Sequence, residues 1–298
     1  MMKVRQEAIE DKNKRLFAFE RELDQISLSL LNMFDDRRLK LFSIPPHKRI
    51  FLFFLTRALK THQAIKILCR EGFGQDAAVL LRSLLENLIS FRYVLHHSEE
   101  ADALAARFVA YKWVIFHRHL WEQEREEREK GDREYRLFVQ RKELILKNFE
   151  EFKTKYHINS GRGLLTWSGR TVKDMAGIVS KDLLKEYESM FRTCSKFTHP
   201  SIISDKEYMV IDDEEIVFSV SPSLIGVEII LSKNISYTFD VLSIFAGLFQ
   251  LKCDVVLNAF ERKFKAYQAS LSTSTSGTGA GETAASINRE SIIVFEKN

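Results

Sequence analysis

Apolar residues recur every three to four positions along most of this chain, a period that predicts helices rather than strands. Over residues 3 to about 34, Leu16, Phe17, Phe19, Leu23, Ile26, Leu28, Leu31 and Phe34 share one side and charges the other, so an amphipathic helix is expected. Asp35-Asp-Arg-Arg and Ser43-Ile-Pro-Pro46 interrupt it. His47 to about Glu71 reads as a second helix, apolar nearly all round at Ile50–Leu55 and therefore central. Gly72-Phe-Gly74 ends it, and a third helix from about Gln75 to His97 completes a helical hairpin. Ser98-Glu-Glu opens a fourth, apolar and aromatic in its first half. Its second half, Glu122–Arg136, is mostly charge and reads as a solvated helix end or protruding hairpin. A fifth helix over roughly Arg133–Tyr156 pairs back with it around Gly131-Asp132.

Ser160-Gly-Arg-Gly163 and Thr166-Trp-Ser-Gly169 form a loop, and a short helix near Val172–Val179 leads into another at Lys181–Thr198. In Glu207–Val220 two β-branched, aromatic runs flank an acidic turn, which predicts a small hairpin. From about Ser223 to Tyr267 the helical period resumes, as one very long helix or two. After Gln268 the run SLSTSTSGTGAGETAAS is too polar to order itself. The last apolar stretch, Ser291–Phe295, either docks on this chain or a protein partner or is a foreign appendage. The expected architecture is all-α: a multi-helix bundle with one small β-hairpin near 207–220 and a disordered C-terminal tail. The expected domain is a single one over 1–268, divided into an N-terminal helix (1–45), a core (46–200) and a hairpin with closing helix (201–268), followed by a tail at 269–298.

Composition agrees with long helices: 298 residues hold only 4 Pro and 12 Gly. The balance of 45 Lys+Arg against 41 Asp+Glu does not demand a nucleic-acid partner, though it allows a local basic patch. Cys69, Cys194 and Cys253 are far apart on helical patterns and read as buried reduced thiols in a cytoplasmic protein. The charged N-terminus has no apolar signal region. The most apolar runs, Ile50–Leu55 and Val241–Leu251, are shorter than the ~20 residues a bilayer needs, so the chain reads as soluble with no membrane partner.

Chemistry concentrates in Tyr187–Pro200. Arg192 and His199, seven positions apart, fall within about 20° of each other on a helix, with Ser195 between them and Glu188 one turn upstream. Leu183, Leu184, Tyr187, Met190, Phe191, Cys194 and Phe197 fill the other side, and Pro200 stops the helix. His199 thus sits at a helix C-terminus, where the dipole favours imidazolium. An imidazole that moves a proton beside a guanidinium that neutralises phosphate charge suits phosphoryl chemistry; an ordinary solvated stripe is the other reading. Arg82 and Glu86 are one turn apart on an otherwise apolar helix, either as a site element or as a structural or snorkelled ion pair.

Arg192-Thr-Cys-Ser-Lys-Phe-Thr-His199 resembles the Arg-x4–6-His pattern of HEPN (higher eukaryotes and prokaryotes nucleotide-binding) domains. The A-x-x-L-x-R-S-x-x-E helix Ala77–Glu86 and the later Tyr187–Pro200 helix also resemble a bacterial helical family; the likeness spans roughly residues 50–200. The HEPN resemblance implies a homodimeric, metal-independent endoribonuclease, in a toxin or phage-defence setting, in which a 2′-hydroxyl attacks the adjacent phosphate. His199 would be the general acid/base and Arg192 the charge stabiliser, with Arg82, Glu86 and Ser195 supporting. One position departs from it: Thr193 stands where many active members carry Asn, Asp or His, and some members only bind or pair. A non-catalytic helical interaction or regulatory protein, or a nucleotide-binding module, is the alternative.

His117 and His119 diverge by about 200° on a helix and cannot share a metal, and His96-His97 suits a helix end. No glycine-rich phosphate cradle, nucleophile elbow or carboxylate–His set is present, so no metal or cofactor is expected.

Overall fold

A computed structural model describes residues 2–37, 43–158, 166–198, 209–212, 215–218, 222–224 and 226–275. The expected tail beyond Thr275 and the residue His199 lie outside these. The fold is all-α. In order the helices are α1 (Met2–Lys12), α2 (Lys14–Asp35), α3 (Pro46–Arg70), α4 (Gly74–His96), α5 (Ala101–Ala110), α6 (Lys112–Arg118), α7 (Leu120–Lys130), α8 (Asp132–Lys155), α9 (Val172–Val179), α10 (Lys181–Thr198), α11 (Val227–Leu248) and α12 (Asp254–Thr275). Between α10 and α11 two short strands, β1 (Met209–Asp212) and β2 (Glu215–Phe218), pair antiparallel with Met209 opposite Phe218 and Asp212 opposite Glu215.

The chain divides into two compact units. The first comprises Met1–Lys40, Phe53–Leu88 and Glu186–Asn298; the second comprises Leu41–Leu52 and Ile89–Lys185. In the first, Leu16, Leu23 and Leu30 repeat every seven residues along α2 and are buried. Phe19 meets Phe260 and Phe264 of α12 edge-on, and Phe34 meets Phe245 and Phe249 at the end of α11. Helix α11 is long and apolar enough to cross a membrane by length and composition alone, but 56% of its most apolar stretch is buried inside this unit. Its polar residues Asn234 and Thr238 are buried too, which fits a core helix.

In the second unit Phe51 packs on Phe91, while Val114, Phe149, Phe152 and Ile158 form one cluster and Leu120, Phe138 and Ile145 another. The charged stretch after Glu122 forms the α7–α8 hairpin through Gly131, whose φ of 128° suits glycine. Glu124 there accepts from both Arg128 and Lys142. The His117 ring stacks on Phe149 at 3.7 Å, and His119 faces Glu122.

Several long patterns are broken at residues other than Gly or Pro. The first helix divides at Asn13, which is buried and bonds its side-chain amide to the Ile9 carbonyl. The fourth divides at Tyr111 and His119. The last divides around Gln250 (φ 50°), where the Arg37 guanidinium donates to the carbonyls of Phe249 and Gln250, satisfying acceptors left open at the end of α11. Helix α12 also runs through residues 269–275, which composition places in the tail.

Candidate functional site

Helix α10 is positioned by its start and by one buried stripe. Ser180 accepts from the Leu183 N–H through its side chain, supplying an N-cap, and Asp182 lies in the first turn, where the helix dipole favours a carboxylate. Leu183, Met190 and Cys194 are buried, and Leu184, Tyr187 and Phe191 are partly so. This is the apolar face read from the sequence.

Of the expected site residues, Arg82, Glu86 and Ser195 come together. Arg82 Nε donates to Glu86 Oε1 at 3.1 Å along α4, and Arg82 Nη1 reaches Ser195 Oγ on α10 at 3.5 Å. The guanidinium carbon also lies 4.0 Å from the centroid of the Phe191 ring, a close cation–π approach. Arg82 and Glu86 keep 26% and 34% of their side-chain surface exposed, so the pair straddles the edge of the core rather than lying inside it. Burial raises the Tyr187 hydroxyl above its usual pKa, the Glu86 charge adds to this, and Arg82 partly offsets it. Burial pushes the Cys194 thiol up to about 11, again against Arg82. Both stay protonated near neutrality, which leaves Cys194 a packing residue rather than a nucleophile.

Arg192 is not brought to this cluster. It is exposed, and its Nε folds back on the Glu188 carbonyl of its own helix at 3.0 Å. Thr193 likewise donates to the Ser189 carbonyl. The stripe expected to hold Glu188, Arg192 and Ser195 together is therefore split. Ser195 is adjacent to buried Cys194 and sits at the boundary of the core face, within reach of α4, whereas Arg192 looks outward.

A second polar cluster gave no signal in the sequence. Glu20 of α2 and His62 of α3 are both fully buried, with His62 Nε2 3.2 Å from Glu20 Oε2 and 3.4 Å from Asp24 Oδ1. Asn234 of α11 donates to Glu20 Oε1 at 3.0 Å, and Thr238 Oγ1 lies 3.2 Å from His62 Nδ1. Lys66 and Gln63 hold Asp24 from the solvent side. Burial raises the Glu20 carboxyl from 4.5 to about 6, with His62 and Asn234 opposing the rise. Burial would also raise Asp24, but bonds from His62, Lys66 and Gln63 outweigh it and hold that carboxyl well below the usual range. A run such as Phe19-Glu-Arg-Glu-Leu-Asp24 looks like a solvated stripe, and it takes α3 and the distant α11 to cover part of it. Among the described residues no group of His, Cys, Asp and Glu is arranged to hold a metal ion.

What the fold and these clusters define is an all-α protein with a partly exposed arginine joining two helices and a buried polar cluster around Glu20 and His62. The chain belongs to DUF5677, a family of unknown function, whose model matches residues 48–216 and so takes in both α4 and α10. No curated protein and no solved structure matches the chain.

Proposed function

We propose that α10 presents a HEPN-like, RNA-directed site, with Arg192 as the phosphate-charge stabiliser and His199 as the general acid/base of a metal-independent cleavage. The observation that carries this reading is the exposure of Arg192 on a helix fixed elsewhere by its buried stripe and by Arg82. A guanidinium on a rigid helix face loses little freedom when it meets a phosphate, and its planar fork suits the oxygens. In this reading two protomers face each other through α10, so that one His199 takes the proton from the 2′-hydroxyl and the other protonates the leaving 5′-oxygen. Arg82, Glu86 and Ser195 are positioning residues: they hold α10 and touch no substrate.

The Arg82 cluster also favours a second reading. Its guanidinium is already committed to a carboxylate, a hydroxyl and a ring, the pattern of a structural tie. In that case the chain is a non-catalytic helical interaction module. Incubation of mixed RNA with the protein in EDTA separates the two. Cleavage leaving 2′,3′-cyclic ends, reduced at least 100-fold by His199→Ala or Arg192→Ala in folded protein, is expected of the ribonuclease. Intact RNA across several substrates at high protein concentration would assign the interaction module instead.

A further inference from the structure

Within the second unit a cavity of about 500 Å³ opens between α5, the end of α8 and the loop before α9. None of its lining belongs to α10. Arg107 lines it, half-buried, with its guanidinium carbon 5.1 Å from the centroid of the Tyr156 ring. Its Nε is shut away from solvent and has no hydrogen-bond partner. Burial lowers its pKa, and the neighbours that oppose this are the hydroxyl-bearing rings of Tyr156 and Tyr93 rather than any carboxylate. Tyr156 carries its own unpartnered hydroxyl, also shut from solvent, at the same cavity.

Two buried donors without acceptors, side by side, are rare in a folded chain and call for an explanation. The surroundings are built to keep them there. Gly169 (φ +72°) lies so close that a Cβ on it would stand 2.6 Å from Arg107 Nη2. The loop carrying it is fixed: Ser168 Oγ accepts from the Arg170 N–H and donates to the Arg170 carbonyl, and Trp167 packs edge-on against Tyr93 and Phe108. The lining also holds Arg170 and His157, with Glu100 its single carboxylate, so two guanidiniums face one carboxylate and the charge of the cavity is positive.

We propose that this cavity binds a phosphomonoester of a small organic molecule, its phosphate held by Arg107 and Tyr156. A guanidinium fork and a phenol hydroxyl together satisfy the several oxygens of a phosphate better than the two of a carboxylate. The volume lies in the range of small-molecule sites and leaves room beyond the phosphate for a body resting on Leu104 and Ile158. Arg170 adds a second guanidinium to the lining.

The test is thermal unfolding and calorimetric titration of the full chain with inorganic phosphate, adenosine monophosphate, adenosine and succinate at constant ionic strength. Phosphate and adenosine monophosphate are expected to bind and raise the Tm, with adenosine and succinate at least tenfold weaker. Arg107→Met is expected to lose at least tenfold in adenosine monophosphate affinity while the ligand-free Tm holds or rises, since it removes a desolvated, unpartnered charge. Tyr156→Phe keeps the ring beneath the guanidinium and loses only the hydroxyl; it is expected to weaken binding several-fold at unchanged Tm, and it decides the matter should Arg107→Met not fold. The proposal is overturned if neither phosphate nor adenosine monophosphate binds, if succinate or adenosine binds equally well, or if Tyr156→Phe leaves the affinity unchanged and lowers the ligand-free Tm.

Discussion

Glu20 shows what burial does to one carboxyl. Its folded pKa, about 6, lies above the 4.5 of an exposed glutamate, so between these values the folded chain binds more protons than the unfolded one. Stability contributed by the protonated form is therefore full below about pH 4.5 and is lost as pH rises through about 6, to the extent of about 2 kcal/mol. Asp24 acts in the opposite sense: its lowered pKa adds stability that is present above the ordinary aspartate range and lost on acidification. Urea unfolding at pH 4.5 and pH 7 is expected to show the wild type losing up to about 2 kcal/mol more over that interval than Glu20→Gln. Equal losses in both proteins would mean that Glu20 does not titrate there. None of this was legible in the sequence, because the groups that meet Glu20, His62 of α3 and Asn234 of α11, are remote from it along the chain. Arg82–Glu86 was legible because a spacing of four on an apolar helix is a local fact. Its degree of exposure was not, since that depends on where α10 lies.

At the scale of elements, the tie between α4 and α10 is made of unequal parts. The Arg82–Ser195 bond is long at 3.5 Å, whereas the guanidinium stands only 4.0 Å from the Phe191 ring. A double-mutant cycle is thus expected to give about 0.5–1 kcal/mol of coupling for Arg82→Met with Phe191→Leu, and less for Arg82→Met with Ser195→Ala. The reverse order would make the hydroxyl the anchor. Helix ends written in Gly and Pro were readable: α3 and α4 lie within a residue or so of their expected bounds, and α9 matches Val172–Val179, closed by a capping box between Thr171 and Asp174. Breaks at Asn13, Tyr111 and His119 were not readable, because ordinary helix-forming residues occupy them and packing sets the bend.

At the scale of the whole molecule, Gly72 is where remote parts of the first unit meet. Its φ is +82°, and a Cβ there would stand 2.7 Å from Ile9 Cδ1 and Pro222 Cβ and 3.0 Å from the Ser223 nitrogen. The Ser223 N–H also donates to the Gly72 carbonyl at 2.9 Å. Gly72→Ala therefore suffers both backbone strain and crowding by a main-chain atom that cannot rotate away. A loss of about 1–3 kcal/mol in chemical unfolding is expected, and a neutral result would mean that the turn relaxes freely.

The link from Glu20 to Asn234 sets a timetable for biosynthesis. At about 5–20 residues per second, a ribosome needs roughly 10–40 s to travel from one to the other. Throughout that interval the nascent α2 and α3 expose an apolar face and two ionisable groups whose covering helix has not yet been made. Stalling before α11 is thus expected to leave a fragment in which Glu20 lacks its bond from Asn234.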